Sequence, residues 1–356
     1  MSRFYNENTK RLVPYVAGEQ PQNMDLIKLN TNENPYRPSP LIEERIKNFD
    51  LYKLRLYPNG EGEVVKKAAS KYYKIPQEKV FAGNGSDEIL GFLFKAFFDG
   101  STKIGFPDIT YSFYPVYCSL FDIPYIQVPV KDDFSIDFGD YPEDLKGIIF
   151  ANPNAPTGLF IEPSVIEELA KNRPDTLIVV DEAYVDFGGE SCIPLISRYD
   201  NIIVVQTLSK SRSLAGQRVG LAFGCKELID GLVKVKNSFN SYPLDAIAQV
   251  AAEAAFEDVE YFKITRDKII NTREKIRRKL LEAGIEVTDS KANFLFVRIP
   301  GISGPEAQLK LRENGVLVRN FNSGRISDWL RITIGTDEDM EKVADIIKKV
   351  MEESSI

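Results

Sequence analysis

Short runs of apolar and β-branched residues recur through the middle of the chain, at 80–82, 103–106, 125–130, 147–151, 176–180, 202–205 and 220–223. Several are apolar at nearly every position, the pattern of strands buried on both faces of a parallel sheet. Helical patterns lie between them, as at 88–98 and 163–171. The latter has Pro163 at its first position, where a missing N–H costs nothing. Seven strands with intervening helices predict a large, doubly wound, mainly parallel α/β domain. Two further helical patterns, 41–49 and 62–73, precede the first strand and flank the turn Tyr57-Pro58-Asn59-Gly60.

The two ends read differently. Residues 1–40 are rich in Pro, Asn and Tyr and have little periodicity, which predicts an extended arm lying on the small domain or on a partner subunit. Residues 244–282 are helical in pattern, nearly free of Pro and Gly, with a break expected near Asp258. Strand patterns at 293–299, 316–319 and 329–334 follow, then an amphipathic helix at 338–351. The predicted organisation is an arm (1–40), a large α/β domain (41–255) and a smaller α+β domain (256–356), with the 244–282 helix linking the last two.

Composition narrows the chemistry. The chain has 356 residues, 43% apolar and 27% charged, ordinary for a soluble protein with room for two domains. Its net charge of −7, with acids and bases interspersed, argues against a nucleic-acid partner. No apolar run approaches ~20 residues and the start lacks an apolar signal core, so a cytoplasmic protein with no membrane span is expected. Cys118, Cys192 and Cys225 are widely spaced and read as reduced thiols, with no metal-ligand set. Histidine is absent altogether. That excludes His-dependent triads, imidazole-containing metal sites and imidazole acid–base catalysis, and leaves proton transfer to Lys, Tyr, Asp, Glu or Cys.

Ligands of an open α/β sheet gather at the carboxyl ends of its strands. Four such ends carry polar groups. After 80–82 comes Gly83-Asn84-Gly85-Ser86-Asp87-Glu88, a glycine-containing turn into a helix with Ser86 as the expected cap, suited to a phosphate. After 147–151 comes the rigid turn Asn152-Pro153-Asn154-Ala155-Pro156-Thr157-Gly158. After 176–180 come Asp181 and Tyr184. After 202–205 comes Ser209-Lys210, with Arg218 beyond Gly216. Lysine can condense with an aldehyde cofactor, Ser209 and Arg218 can hold a phosphate, and Asp181 can pair with a ring-nitrogen cation. Each feature alone also has a plain structural reading: a solvated lysine, a capped turn, a rigid loop, a core tyrosine.

Together with Arg331-Ile332-Thr333-Ile334-Gly335, these segments resemble the fold-type I aminotransferases, in the family's order and over nearly the whole chain. Closer likeness to the branch acting on histidinol phosphate runs through Leu29-Asn30-Thr31-Asn32-Glu33-Asn34-Pro35, Leu56-Tyr57-Pro58, Thr110-Tyr111 and the pair Arg319 and Arg331. The resemblance implies pyridoxal 5'-phosphate as cofactor, small-molecule substrates with 2-oxoglutarate as amino acceptor, and a homodimer. It implies Lys210 as Schiff-base lysine and acid/base, Asp181 on the pyridine nitrogen, Tyr184 on the phenolic oxygen and Tyr111 stacked on the ring. Ser86, Asp87, Ser209 and Arg218 would hold the phosphate, with Tyr57 reaching it from the other subunit. Arg331 and Arg319, with Tyr15 and Asn32 or Asn34, would form the substrate pocket. At one place the chain departs from the family, which has Asn directly before Pro-Thr-Gly where Ala155 stands here; Asn154 is the expected substitute. Transamination of aromatic or varied amino acids, decarboxylation of threonine phosphate, and a cofactor-binding regulator or scaffold are the alternatives.

Overall fold

All seven apolar runs form strands of one sheet. The computed structural model describes residues 2–15, 18–21, 26–321 and 323–354; residues 1, 16, 17 and 22–25 of the arm lie outside these, as do 322, 355 and 356. The strands lie in the order Val80–Gly83, Gly220–Phe223, Ile202–Thr207, Leu177–Asp181, Gly147–Ala151, Ile104–Pro107, Tyr125–Val128. All neighbours are parallel except those of Gly220–Phe223, which runs antiparallel to both of its own. Every residue of Gly147–Ala151 and of Ile202–Thr207 is buried. Successive residues point to opposite faces. Ile148, Val180 and Val204 therefore pack with Val65, Ala69 and Ala251 on one side. Ile149, Val179 and Val205 pack with Leu90, Leu93 and Leu232 on the other. Continuous burial on two faces is why these strands show no alternation.

The long helical pattern divides at Asp258 into helices Ala246–Glu257 and Val259–Glu282, and the Asp258 side chain caps the second by accepting from the Tyr261 N–H. Ile269, Ile276 and Leu280 of that helix enter a second core with Leu295, Val297, Leu330 and Ile347. Its sheet is antiparallel, in the order Arg319–Asn320, Trp329–Thr333, Phe294–Arg298, Glu286–Val287. The strand expected at 316–319 is divided. Val316–Leu317 pairs in parallel with Ile27–Lys28 of the arm, and only Arg319–Asn320 joins the four-stranded sheet. The arm takes one edge of this segment, so the chain changes partner at Val318, which is buried. That pairing, with Leu29 in the second core and its carbonyl accepting from the Thr333 N–H, carries residues 30–34 to the large sheet.

Helices Tyr114–Phe121, Lys226–Phe239 and Gly304–Glu313 have no counterpart among the sequence expectations. The first is short and aromatic-rich, with Pro115 in its first turn, and shows no clear period. The helix expected to be capped by Ser86 begins earlier, at Gly85, with Asn84 in the capping position.

Candidate active site

Ala151, Asp181 and Thr207 end three adjacent parallel strands, and all three line one cavity of about 200 Å³. The cavity thus sits where an open α/β sheet is expected to take a ligand. Lys210 also lines it, its Nζ donating to the Thr31 carbonyl at 3.2 Å. Burial, and then the Arg331 guanidinium, push the amine down to about 8. Asp181 is 4% exposed and receives hydrogen bonds from the Tyr114 hydroxyl (3.0 Å) and the Ala183 N–H (3.2 Å). Burial pushes its carboxyl up to about 6, against the opposing pull of those bonds. A desolvated carboxylate held in a cavity wall is stabilised by a cation brought to it.

At another part of the cavity, Ser86, Asp87, Ser209 and Arg218 come together. The Arg218 guanidinium bonds Asp87 at 3.0 Å and the Ser209 hydroxyl at 3.4 Å, and Tyr111 donates to Asp87 at 2.8 Å. Asp87 is thereby offset by two donors beside the positive end of helix Gly85–Phe97. The backbones approach closely here. A Cβ on Gly220 would run into Gly85 and Ser86, and Gly85, at φ +82°, leaves room for Arg218, whose Nη2 would lie 2.5 Å from an added Cβ.

Arg319 and Arg331 pair across neighbouring strands and line the remaining side with Tyr15 and Phe321. Arg331 Nη2 donates to the Asn30 carbonyl at 3.0 Å, while its buried Nε has no partner among the described residues. Its guanidinium lies 5.5 Å from the Phe294 ring centroid and 5.6 Å from that of Phe321. Tyr184 also lines the cavity, and its oxygen accepts from Asn32 Nδ2 at 2.9 Å.

Of the site residues named from sequence, Tyr15, Asn32, Ser86, Asp87, Tyr111, Asp181, Tyr184, Ser209, Lys210, Arg218, Arg319 and Arg331 line this one cavity. Three do not. Asn154 is buried with its amide on the Ile109 carbonyl (2.9 Å) and Thr157 (3.2 Å), and its carbonyl oxygen accepts from Thr110. Ala155 and Pro156 take its place in the wall. Asn34 lies behind the lysine, donating to the carbonyls of Lys210 and Ser211 at 3.0 and 3.2 Å. Tyr57 is 83% exposed and stacks on Tyr242 at 4.8 Å, outside the cavity. Sequence reasoning passed over Tyr114, whose hydroxyl meets Asp181, and Thr31, which contributes a backbone carbonyl that no residue type announces.

These groups suit an aldehyde cofactor with a cationic ring nitrogen and a phosphate: a depressed lysine, a buried aspartate, and a serine–arginine cradle. The fold and site define a transferase of the aldehyde-cofactor class. The chain belongs to the aminotransferase class I and II family, whose model matches residues 24–347. It is 50% identical over 347 residues to the histidinol-phosphate aminotransferase of Lactococcus lactis subsp. cremoris, covering 98% of each chain. To the protein of the same name from Pseudomonas syringae pv. syringae it is 52% identical over 338 residues, 95% of this chain and 97% of that one. The fold is shared with a solved histidinol-phosphate aminotransferase from Sinorhizobium meliloti in complex with pyridoxal-5'-phosphate. There the TM-score is 0.87 at 21% identity, over 99% of each chain.

Proposed function

We propose that the protein uses pyridoxal 5'-phosphate to move the amino group of L-histidinol phosphate to 2-oxoglutarate, giving imidazole acetol phosphate and L-glutamate in histidine biosynthesis. The observation that carries this reading is one cavity holding Lys210, Asp181 and the pair Arg319 and Arg331. The chain is also about half identical, end to end, to proteins named for this activity. When bound, the cofactor supplies a carbonyl that captures the donor's amine and a ring that withdraws electrons from the carbon bearing it.

Lys210 Nζ, held at about 8, is neutral in about one molecule in ten at pH 7. That fraction can take the proton from the donor's amine-bearing carbon and return it one bond further along. Asp181, ionised, favours a protonated ring nitrogen, and the Tyr184 hydroxyl serves the ring's phenolic oxygen. Ser86, Ser209, Arg218 and the first N–H groups of helix Gly85–Phe97 hold the cofactor's phosphate. Arg319 and Arg331 accept a phosphate in one half-reaction and a carboxylate in the other, since a guanidinium fork suits either anion.

The protein works as a cytoplasmic homodimer. The exposed Tyr57 lies near Leu51, Tyr52, Leu54 and Leu56, an apolar stretch suited to a second copy. No helix of the described residues is long and apolar enough to cross a membrane.

The deciding assay measures glutamate formed from 2-oxoglutarate with histidinol phosphate, phenylalanine, tyrosine or threonine phosphate as donor. Histidinol phosphate is expected to have the highest kcat/KM. A higher value with either aromatic amino acid, or release of carbon dioxide from threonine phosphate, would refute the assignment.

A further inference from the structure

One hydroxyl of the cavity has its direction set from outside it. Tyr184 Oη lines the cavity and accepts a hydrogen bond from Asn32 Nδ2 at 2.9 Å. The other end of that amide, Oδ1, accepts from the Thr333 hydroxyl at 3.1 Å, and Thr333 Oγ1 in turn accepts the Asn32 backbone N–H at 3.0 Å. A backbone N–H can only donate, and a threonine hydroxyl has one proton to give. Among the described residues, Asn32 Oδ1 is the acceptor that proton has. Turning the amide over would deprive it of that acceptor, so Thr333 selects the orientation that offers Nδ2 to Tyr184.

The frame around this relay is rigid. Asn32 is 1% exposed and sits at φ +57°, a left-handed conformation that Asn tolerates better than most residues. Its carbonyl accepts from Asn293 at 3.0 Å. Thr333 is 3% exposed and does not line the cavity.

A phenol has one proton. With its oxygen already accepting from Asn32, the Tyr184 hydroxyl keeps that proton for the cavity. The turn at 152–158 lines the cavity with Ala155 and Pro156, neither of which has a side-chain donor. We infer that Asn32 and Thr333 are positioning residues that aim the Tyr184 proton at the ring-oxygen substituent of the bound cofactor. This rests on the pyridoxal phosphate reading above.

The test measures pyridoxal phosphate affinity and the pH titration of the bound cofactor's visible absorption. The proteins are wild type, Asn32→Gly, Asn32→Asp, Thr333→Val and Thr333→Ser. Glycine keeps the left-handed backbone while removing the amide, and aspartate turns the donor into an acceptor that competes for the tyrosine proton. Loss of one aimed hydrogen bond predicts a Kd raised about tenfold in Asn32→Gly and Thr333→Val, and more in Asn32→Asp. The absorption titration should shift in all three and be restored in Thr333→Ser. A purely structural role would lower the melting temperature and leave the spectral titration where it was, and that result would overturn the inference. So would a wild-type titration and Kd in Thr333→Val, which reports independently should the Asn32 variants fail to fold. Failure of the wild-type protein to bind pyridoxal phosphate would instead sink the underlying reading, and this inference with it.

Discussion

Replacing Arg331 with Gln separates the two largest causes that hold the Lys210 amine down. Burial comes first and the Arg331 charge second, and against the opposing pull of Asp87 and Glu33 they bring it from 10.5 to about 8. That difference is worth ~3 kcal/mol. At pH 7 it takes the neutral amine from roughly one molecule in 3000 to about one in ten, a ~300-fold gain in nucleophile. Gln removes the charge and keeps an amide donor on a shorter side chain. The burial remains, so Lys210 should titrate above the wild-type value and still below 10.5. The assay exposes cofactor-free protein to pyridoxal phosphate at a series of pH values, traps the adduct with borohydride and quantifies labelled Lys210 by peptide mass spectrometry. A wild-type midpoint near 10.5 would refute the burial reasoning. An Arg331→Gln midpoint at or below that of wild type would refute the role given to the arginine.

Asp181→Asn tests the cost of the buried carboxylate. Its folded-state value of about 6 lies above the ordinary 3.8, so the folded cofactor-free protein binds this proton more tightly than the unfolded chain. That contribution is present below pH 4 and lost as pH rises through 6, leaving a penalty of ~3 kcal/mol above it. The variant should therefore melt above wild type at pH 8 without cofactor and gain less when pyridoxal phosphate is added; an unchanged melting temperature at pH 8 would count against it. Gly85→Ala should push Arg218 out of the phosphate cradle and cost about 1–3 kcal/mol of stability through its left-handed backbone. Denaturant melts and the Kd for pyridoxal phosphate check this, and a wild-type Kd would argue against the cradle. Lys236 is 1% exposed and holds the Gly60 carbonyl at 2.8 Å and Glu61 at 2.9 Å. Lys236→Met should destabilise by about 1–3 kcal/mol in a denaturant titration, chiefly by leaving the Gly60 carbonyl without its donor, since the half-exposed Glu61 can turn to solvent.

The large sheet was legible because burial on both faces of Gly147–Ala151 and Ile202–Thr207 leaves runs that no other element explains. The arm was not. Ile27–Lys28 is two residues long and forms only against Val316–Leu317, a partner far away in sequence. Lys210 and Asp181 could be singled out because strand ends are where such a fold exposes polar groups. The choice among asparagines could not, since it turns on which carbonyls an amide meets. Asn154 is drawn to Ile109 and Thr157, while Asn32 is set against Tyr184 by a threonine 301 residues away. Tyr57 was assigned by resemblance alone, and within this chain its ring stacks on Tyr242 at the surface.

The arm's attachment sets an order of assembly during synthesis. Asn30 and Asn32 leave the ribosome well before Arg331 and Thr333, the groups they bond, which are each 301 positions later. The seven-stranded sheet is complete in sequence at Phe223, so lysine and aspartate can gather on a nascent chain whose arm can already meet Tyr184 and Lys210 but not yet Arg331 or Thr333. At translation rates of ~5–20 residues per second that interval lasts on the order of ten seconds. Until strand Trp329–Thr333 is made, the pocket lacks both the Arg331 guanidinium and the Thr333 hydroxyl that orients Asn32.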